Sequence, residues 1–146
     1  MTTTENTVGQ PLSVTLLPPV EAVDYEWHRL RLAEPELVDQ GVAICLFRIP
    51  MLAVPVSRTR RGGFYAVHHR GVALAVRDLL AEVPGFPDLR IRHALTPSTC
   101  QVVEWGGQAP LADDPTLGQF YGYRHSAIAM VIAAKRDPGR RPSPAF

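Results

Sequence analysis

The stretch VAICLFRIPMLAVPVSRTRRGGFYAVH, residues 42–68, decides the fold. Residues 42–48 are apolar on both alternating sets of side chains, which predicts a strand that is covered on both faces or central in its sheet. Residues 51–56 predict a second strand, and Pro55 favours an edge or a bulge for it, because proline cannot donate to a ladder. Residues 64–68 predict a third short strand. The stretch therefore predicts three strands joined by tight turns.

Helical spacing of apolar residues appears on both sides of this stretch. Upstream, a stripe at i, i+3, i+7 and i+10 predicts an amphipathic helix, and its members are Val20, Val23, Trp27 and Leu30. Downstream, a helix over 70–82 carries a stripe at i, i+4, i+7 and i+11, formed by Val72, Val76, Leu79 and Val83. A last helix over 126–136 has Ile128, Val131 and Ile132 on one side.

Further strands complete the expected fold. Residues 89–95 alternate between apolar and polar side chains, the period of a half-buried strand, and residues 100–105 predict another. Residues 12–17 predict a short strand or an extended arm, and residues 106–115 predict a loop rich in Gly, Pro and Asp. The order predicts an α+β fold, with a four- to five-stranded antiparallel or mixed sheet and two to three helices packed on it.

Length and composition set the limits of this fold. The chain has 146 residues, of which 46% are hydrophobic and 20% charged, so we expect one globular domain over residues 12–136. Residues 1–11 and 137–146 are predicted to be flexible tails. No apolar run approaches the roughly 18 residues of a membrane span, and no secretory signal is visible. Two cysteines, Cys45 and Cys100, are too few for a disulfide framework, so we expect reduced thiols and a cytoplasmic protein.

The turn between the second and third strands concentrates positive charge. Residues 57–70 contain two histidines, no acid and four arginines, namely Arg58, Arg60, Arg61 and Arg70. The guanidinium forks and the N–H groups of Gly62-Gly63 suit an anion, and His69 lies near a helix N-terminus that also favours one. The alternative is a solvated hairpin turn in which the glycines supply positive φ. A phosphate-loop motif GxxxxGK[ST] is absent.

The first helix has the opposite charge. Residues 21–40 contain six acids and two arginines, a net charge of −4. Such a dipolar small domain can self-associate or dock on a partner, or it can have an ordinary solvated helix face. The whole chain has a net charge of +1 and no helix-turn-helix pattern, which argues against a nucleic acid partner.

A third group of residues suggests an acid/base pocket. Glu104 ends a predicted strand, and the segment after the loop carries Tyr121, Tyr123 and His125, so the four side chains could surround a general base. The alternative is structural: Trp105, Phe120 and Tyr121 close the core while Glu104 pairs with an arginine, and the candidates are Arg90 and Arg92. The histidines have no HxH or HxxxH spacing, and GxGxxG, GxSxG and CxxC are absent. We therefore expect no metal and no cofactor.

Several phrases of the sequence together resemble a known family. They are Leu17-Pro18-Pro19 with Asp24-Tyr25-Glu26, Leu52-Ala53-Val54-Pro55-Val56 with Arg60-Arg61-Gly62-Gly63, Val76-Arg77-Asp78-Leu79-Leu80, Pro84-Gly85-Phe86-Pro87-Asp88-Leu89-Arg90, Thr99-Cys100 with Val103-Glu104-Trp105-Gly106, and Phe120-Tyr121-Gly122-Tyr123. They resemble a family of small actinobacterial proteins of the Streptomyces type, over about residues 16–130. The resemblance implies a bacterial, cytosolic, single-domain protein, and that family has no established activity to carry over.

Two functions follow as hypotheses. The first is a non-enzymatic binding, accessory or regulatory protein that docks an anionic ligand or protein partner, through Arg58, Arg60, Arg61, His69 and Arg70. The second is a small cofactor-free enzyme with an acid/base pocket around Glu104, Tyr121, Tyr123 and His125. The sequence favours the first hypothesis, because small pockets without metal or cofactor motifs are harder to turn into enzymes.

Overall fold

A computed structural model describes residues 13–93 and 101–136. Its helices and strands, in chain order, are β1 (Val14–Leu17), α1 (Tyr25–Arg31), β2 (Val42–Leu46), β3 (Ile49–Ala53), β4 (Gly62–Val67), α2 (Arg70–Leu80), β5 (Arg90–His93), β6 (Gln101–Gly106), α3 (Asp114–Phe120) and α4 (His125–Arg136). Two 3-10 turns cover Pro19–Glu21 and Pro35–Gln40. The predicted tails, 1–11 and 137–146, and Cys100 lie outside the described residues.

The strands form two antiparallel sheets, and the predicted α+β class is confirmed. One sheet has the order β1-β2-β3 and the other β4-β6-β5. The prediction of four to five strands in one sheet is wrong, because β3 and β4 do not pair. Instead, the segment that contains Val23 and Asp24 forms hydrogen bonds with the outer edge of β3. The Val23 N–H donates to the Pro50 carbonyl at 2.9 Å, and the Leu52 N–H donates to Asp24 Oδ1 at 2.8 Å.

Strand β2 has core on both faces, as its apolar run predicted. Ala43 is fully buried among residues of the helix-rich side, which include Leu32 and Ile128. Ile44 is fully buried on the opposite face, in a cluster that extends to α2 and the second sheet. Because β2 is also the middle strand of its sheet, its two faces join two hydrophobic clusters into one structure.

Helix α2 confirms the predicted stripe in its main part. Val72 and Val76 are buried, whereas Leu79 is half-buried and Val83 lies beyond the end of the helix. The helix packs between β1 and the second sheet. At its start the His69 ring caps the helix, since Nδ1 accepts the Gly71 N–H at 3.0 Å. Uninterrupted helical spacing thus located the helix that holds the two sheets together.

The first helix departs from its predicted stripe. All four predicted stripe residues have partly or largely exposed side chains: Val20, Val23, Trp27 and Leu30. The 3-10 turn at Pro19–Glu21 and a non-helical link precede α1, so the 3.6-residue period does not run through them. The buried apolar residues of this segment are Ala22 and Leu32.

Helix α3 occupies the end of the segment predicted as a loop. Asp113 caps it by accepting the Thr116 N–H at 3.1 Å, and Pro115 lies in its first turn. In the part of the chain that the structure describes, no helix is long and apolar enough to cross a membrane.

Candidate functional site

An acid from a distant segment fixes the Arg-rich turn. Glu34 Oε1 accepts hydrogen bonds from Ser57 Oγ, at 2.5 Å, and from Thr59 Oγ1. These two hydroxyl donors hold the pKa of the Glu34 carboxyl below its usual value. A second anchor joins the turn to the end of α3, where the Arg61 N–H donates to the Phe120 carbonyl at 2.8 Å. The turn is therefore held at both ends.

The three arginines of the turn point in different directions. Arg58 and Arg61 are exposed, whereas Arg60 is only 5% exposed. The structure thus brings Arg58 and Arg61 to one surface and directs Arg60 into the interior.

An open groove lies between this turn and the junction of α3 with α4. Its volume is about 660 Å³, and its lining among the described residues includes Arg58, Arg61 and His125 but no carboxylate. Gly122 shapes the junction with φ of +79°, and a Cβ there would lie 3.0 Å from the Thr59 carbonyl oxygen. The groove therefore brings the basic turn together with His125, which the sequence suggested for the acid/base pocket.

His69 and Arg70 lie elsewhere on the molecule. They follow β4, whose six residues span about 20 Å, while Arg61 precedes that strand. Arg70 Nη1 donates to Gln101 Oε1 at 3.5 Å, and the His69 ring serves as the helix cap described above. The groove therefore brings together two of the five predicted anion-binding residues.

Glu104 adopts the ion-paired alternative that its sequence context also suggested. Its Oε2 lies 2.7 Å from Arg92 Nε, and its Oε1 lies 3.3 Å from Arg90 Nε. Burial raises the pKa of the Tyr121 phenol, and the charge of Glu104 adds to that rise. Glu104 and Tyr121 are therefore electrostatic neighbours, whereas His125 lines the groove.

Nearly the whole chain matches a protein family. A model described as a family of unknown function, DUF6302, matches residues 16–146. The chain belongs to the DUF6302 family. No curated protein and no solved structure matches the chain. The match confirms the resemblance to a family without an assigned function, and it includes every residue of the groove.

The DUF6302 chain also contains a partly buried acid–histidine pair that the sequence analysis did not identify. Asp24 Oδ2 lies 3.1 Å from His28 Nε2, one helical turn along α1. Burial raises the pKa of Asp24, but hydrogen bonds from His28 and the Leu52 N–H, with the charge of His28, outweigh it, so the net pKa is lowered. His28 Nδ1 is buried without a hydrogen-bond partner among the described residues. The i, i+4 spacing of Asp and His was the available sequence signal.

A second recess of the DUF6302 chain lies between β3 and β4, and both Asp24 and His28 line it with Arg60. Arg60 Nε donates to the Val54 carbonyl at 3.3 Å, and Nη1 donates to the Tyr121 carbonyl at 2.8 Å. Among the described residues, no cluster of three or more histidine, cysteine or acidic side chains gathers for a metal ion. The chain therefore presents an exposed basic groove and an interior recess that holds one buried arginine.

Proposed function

We propose that the protein is a small non-enzymatic binding module, which docks an anionic group of a ligand or a protein partner in the basic groove. One observation carries the proposal: Arg58, Arg61 and His125 line the same groove, and no carboxylate of residues 13–93 or 101–136 lines it with them. The proposal retains the cytoplasmic location and actinobacterial origin that the sequence and its resemblance implied.

Arg58 interacts electrostatically with Glu34, but both guanidinium groups of the groove can still pair with an external anion. In residues 13–93 and 101–136, neither Arg58 nor Arg61 forms a salt bridge with a described carboxylate. A guanidinium presents planar N–H donors that match a carboxylate or phosphate in bidentate fashion. Because the turn is anchored by Glu34 and by the Phe120 carbonyl, little ordering is needed on binding, and this supports affinity.

The geometry favours this proposal over the enzyme hypothesis. Both carboxylate oxygens of Glu104 are within ion-pair distance of arginines, Arg92 and Arg90. A general base needs a free oxygen within hydrogen-bond reach of its substrate. The groove itself contains His125 without a paired carboxylate among its lining residues, which suits binding of charge more than transfer of a proton.

The test is a titration with three anionic probes: a phosphoserine peptide, an unphosphorylated acidic peptide and duplex DNA. We expect binding of a peptide probe at low salt, and at least about tenfold weaker binding in Arg58→Ala/Arg61→Ala. Binding by the wild type should also weaken as salt screens the exposed charges. Fluorescence anisotropy measures the affinities.

The matched control replaces two arginines on other surfaces. Arg29 pairs with Glu26 on α1, and Arg77 pairs with Asp78 on α2. The variant Arg29→Ala/Arg77→Ala changes the net charge by the same amount, so it should bind almost as the wild type does. Equal losses in the two double variants, or no binding of any probe, would refute the groove as a docking site. Binding of DNA alone would identify a different class of partner and would also refute the proposal.

A further inference from the structure

The recess between β3 and β4 is a second site, distinct from the basic groove. It has a volume of about 450 Å³, and it lies where each strand is the edge of its own sheet. Its walls are mainly apolar and aromatic, formed by Trp27, Met51, Leu52, Phe64, Tyr65 and Trp105. This size and lining are typical of sites that enclose most of a small organic molecule.

The recess contains a positive charge, Arg60, that forms no ion pair with a described carboxylate. Arg60 is 5% exposed, and its hydrogen-bond acceptors are the Val54 carbonyl, the Tyr121 carbonyl and the Tyr123 phenol. All three partners are neutral, and burial lowers the pKa of this guanidinium. A guanidinium has five N–H groups, so donors remain for a ligand. A buried cation of this kind is stabilised when an anion shares its site.

The acidic group of the recess, Asp24, disfavours an anion at its own position. Asp24 binds the Leu52 N–H, and Arg60 binds the Val54 carbonyl. These two strand positions are two residues apart, which corresponds to about 7 Å along the chain. The negative charge of Asp24 repels an anionic head, while Arg60 attracts it. The two charges therefore favour one orientation of an elongated anion, with its negative end at Arg60 and away from Asp24.

We propose that this recess binds a small aromatic carboxylate, whose carboxylate group pairs with Arg60 and whose ring lies among Trp27, Phe64 and Met51. A carboxylate matches the planar fork of the guanidinium, and a single negative charge costs less to bury than the double charge of a phosphate. Aromatic rings in the walls favour an aromatic body through offset or edge-to-face contacts. This ligand class differs from the solvated anion proposed for the basic groove.

The test compares phenylacetate with phenylacetamide, which has nearly the same shape and no charge. Two NMR signals report on the site: the Arg60 Nε–H and the Trp105 Nε1–H, which both donate to the Val54 carbonyl. We expect saturable shifts of both signals with phenylacetate at millimolar concentration, as befits a ligand of this size. Phenylacetamide should bind at least about tenfold more weakly.

Three variants locate the binding. Ala66→Phe places a ring in the recess, at an exposed position of its wall, and it should weaken phenylacetate binding about tenfold or more. Ala129→Phe adds the same ring to an exposed position of α4 and should leave binding unchanged. The groove variant Arg58→Ala/Arg61→Ala should also leave it unchanged.

Several outcomes would overturn the proposal. They are the absence of shifts at both signals, equal binding of the acid and the amide, and wild-type affinity in folded Ala66→Phe. Loss of phenylacetate binding in Arg58→Ala/Arg61→Ala would assign the ligand to the basic groove instead. Because the acid–amide comparison uses the unmodified protein, the proposal stays falsifiable even where a variant fails to fold.

Discussion

At the scale of single residues, Arg60 is a cross-link as well as a charge. Its guanidinium joins the chain just after β3 to the end of α3, through the carbonyls of Val54 and Tyr121. Arg58, two residues earlier, is exposed. Sequence alone could not separate the two, because a turn has no periodicity that tells an inward side chain from an outward one.

Replacement of Arg60 should therefore destabilise the protein. Arg60→Ala leaves the partly buried Tyr121 carbonyl without this donor and opens a void, so we expect a loss of about 2–4 kcal/mol in the free energy of unfolding. The control Arg58→Ala should change it by less than about 0.5 kcal/mol. Urea denaturation followed by circular dichroism measures both. Similar small losses in the two variants would mean that Arg60 does not link these segments.

Asp24 makes the stability of the folded protein depend on pH. Its folded pKa lies below the ordinary value of 3.8, because His28 and the Leu52 N–H stabilise the ionised carboxylate against its burial. A group with a depressed folded pKa contributes stability that is complete above its unfolded pKa and disappears as the pH falls through the folded one. Asp24→Asn removes the charge and keeps an oxygen acceptor for the Leu52 N–H.

We expect Asp24→Asn to be less stable than the wild type by about 1–2 kcal/mol at pH 7. The difference should shrink as the pH falls below about 3.8, since the wild-type carboxylate then takes up a proton. Urea titrations at pH 7, 5, 4 and 3 measure the difference directly. A gap that stays constant down to pH 3, or widens there, would show that the ionised carboxylate adds no stability.

At the scale of elements, α2 and α1 show when apolar spacing predicts a helix correctly. The α2 stripe was found because one helix covers it from Val72 to Leu79, with Val72 and Val76 buried. The predicted α1 stripe crosses a 3-10 turn at Pro19–Glu21 before the helix begins at Tyr25. The spacing of its apolar residues therefore no longer corresponds to one face, and Leu32 is buried instead of Leu30.

Two leucines at the end of α1, two positions apart, test which side chain of this segment enters the core. Leu32 is fully buried and Leu30 is 59% exposed, although the helical period predicted Leu30 to be the core residue. Leu32→Ala should cost about 2–5 kcal/mol, because it leaves a cavity in a packed cluster. Leu30→Ala should cost less than about 0.5 kcal/mol, as is usual for surface positions. Thermal and urea unfolding of both variants measure the difference, and a larger loss for Leu30→Ala would restore the predicted stripe.

At the scale of the whole molecule, the sequence could not predict how the strands group into sheets or which residues form the two sites. All the strands expected within the described residues are present, but their alternation does not say which edges meet. The separation of β3 from β4 depends on Asp24 and Arg60, which bind the outer edge of β3 and the chain just beyond it. The groove likewise joins Arg61 to His125, 64 positions later in the chain, and no local pattern predicts such a contact.

The two hydrophobic clusters should nevertheless unfold together. Ala43 and Ile44 are adjacent in β2 and belong to different clusters. If one cluster unfolds, one face of β2 loses its packing, and β2 also supports the other cluster. Two-state unfolding is also usual for domains under about 150 residues. Isoleucine methyl NMR in urea follows both clusters in one sample, because Ile128 belongs to the first and Ile44 to the second.

The native methyl signals of Ile44 and Ile128 should disappear with the same urea midpoint. Ile128→Val removes one buried methyl group, at a cost of about 0.5–1.5 kcal/mol. Because β2 couples the clusters, this change should lower the midpoint of the distant Ile44 signal, and the fluorescence of buried Trp105 in the same cluster should follow it. Two separate midpoints in the wild type, or an Ile44 midpoint unmoved by Ile128→Val, would mean that each cluster is an independent folding unit joined only by chain continuity.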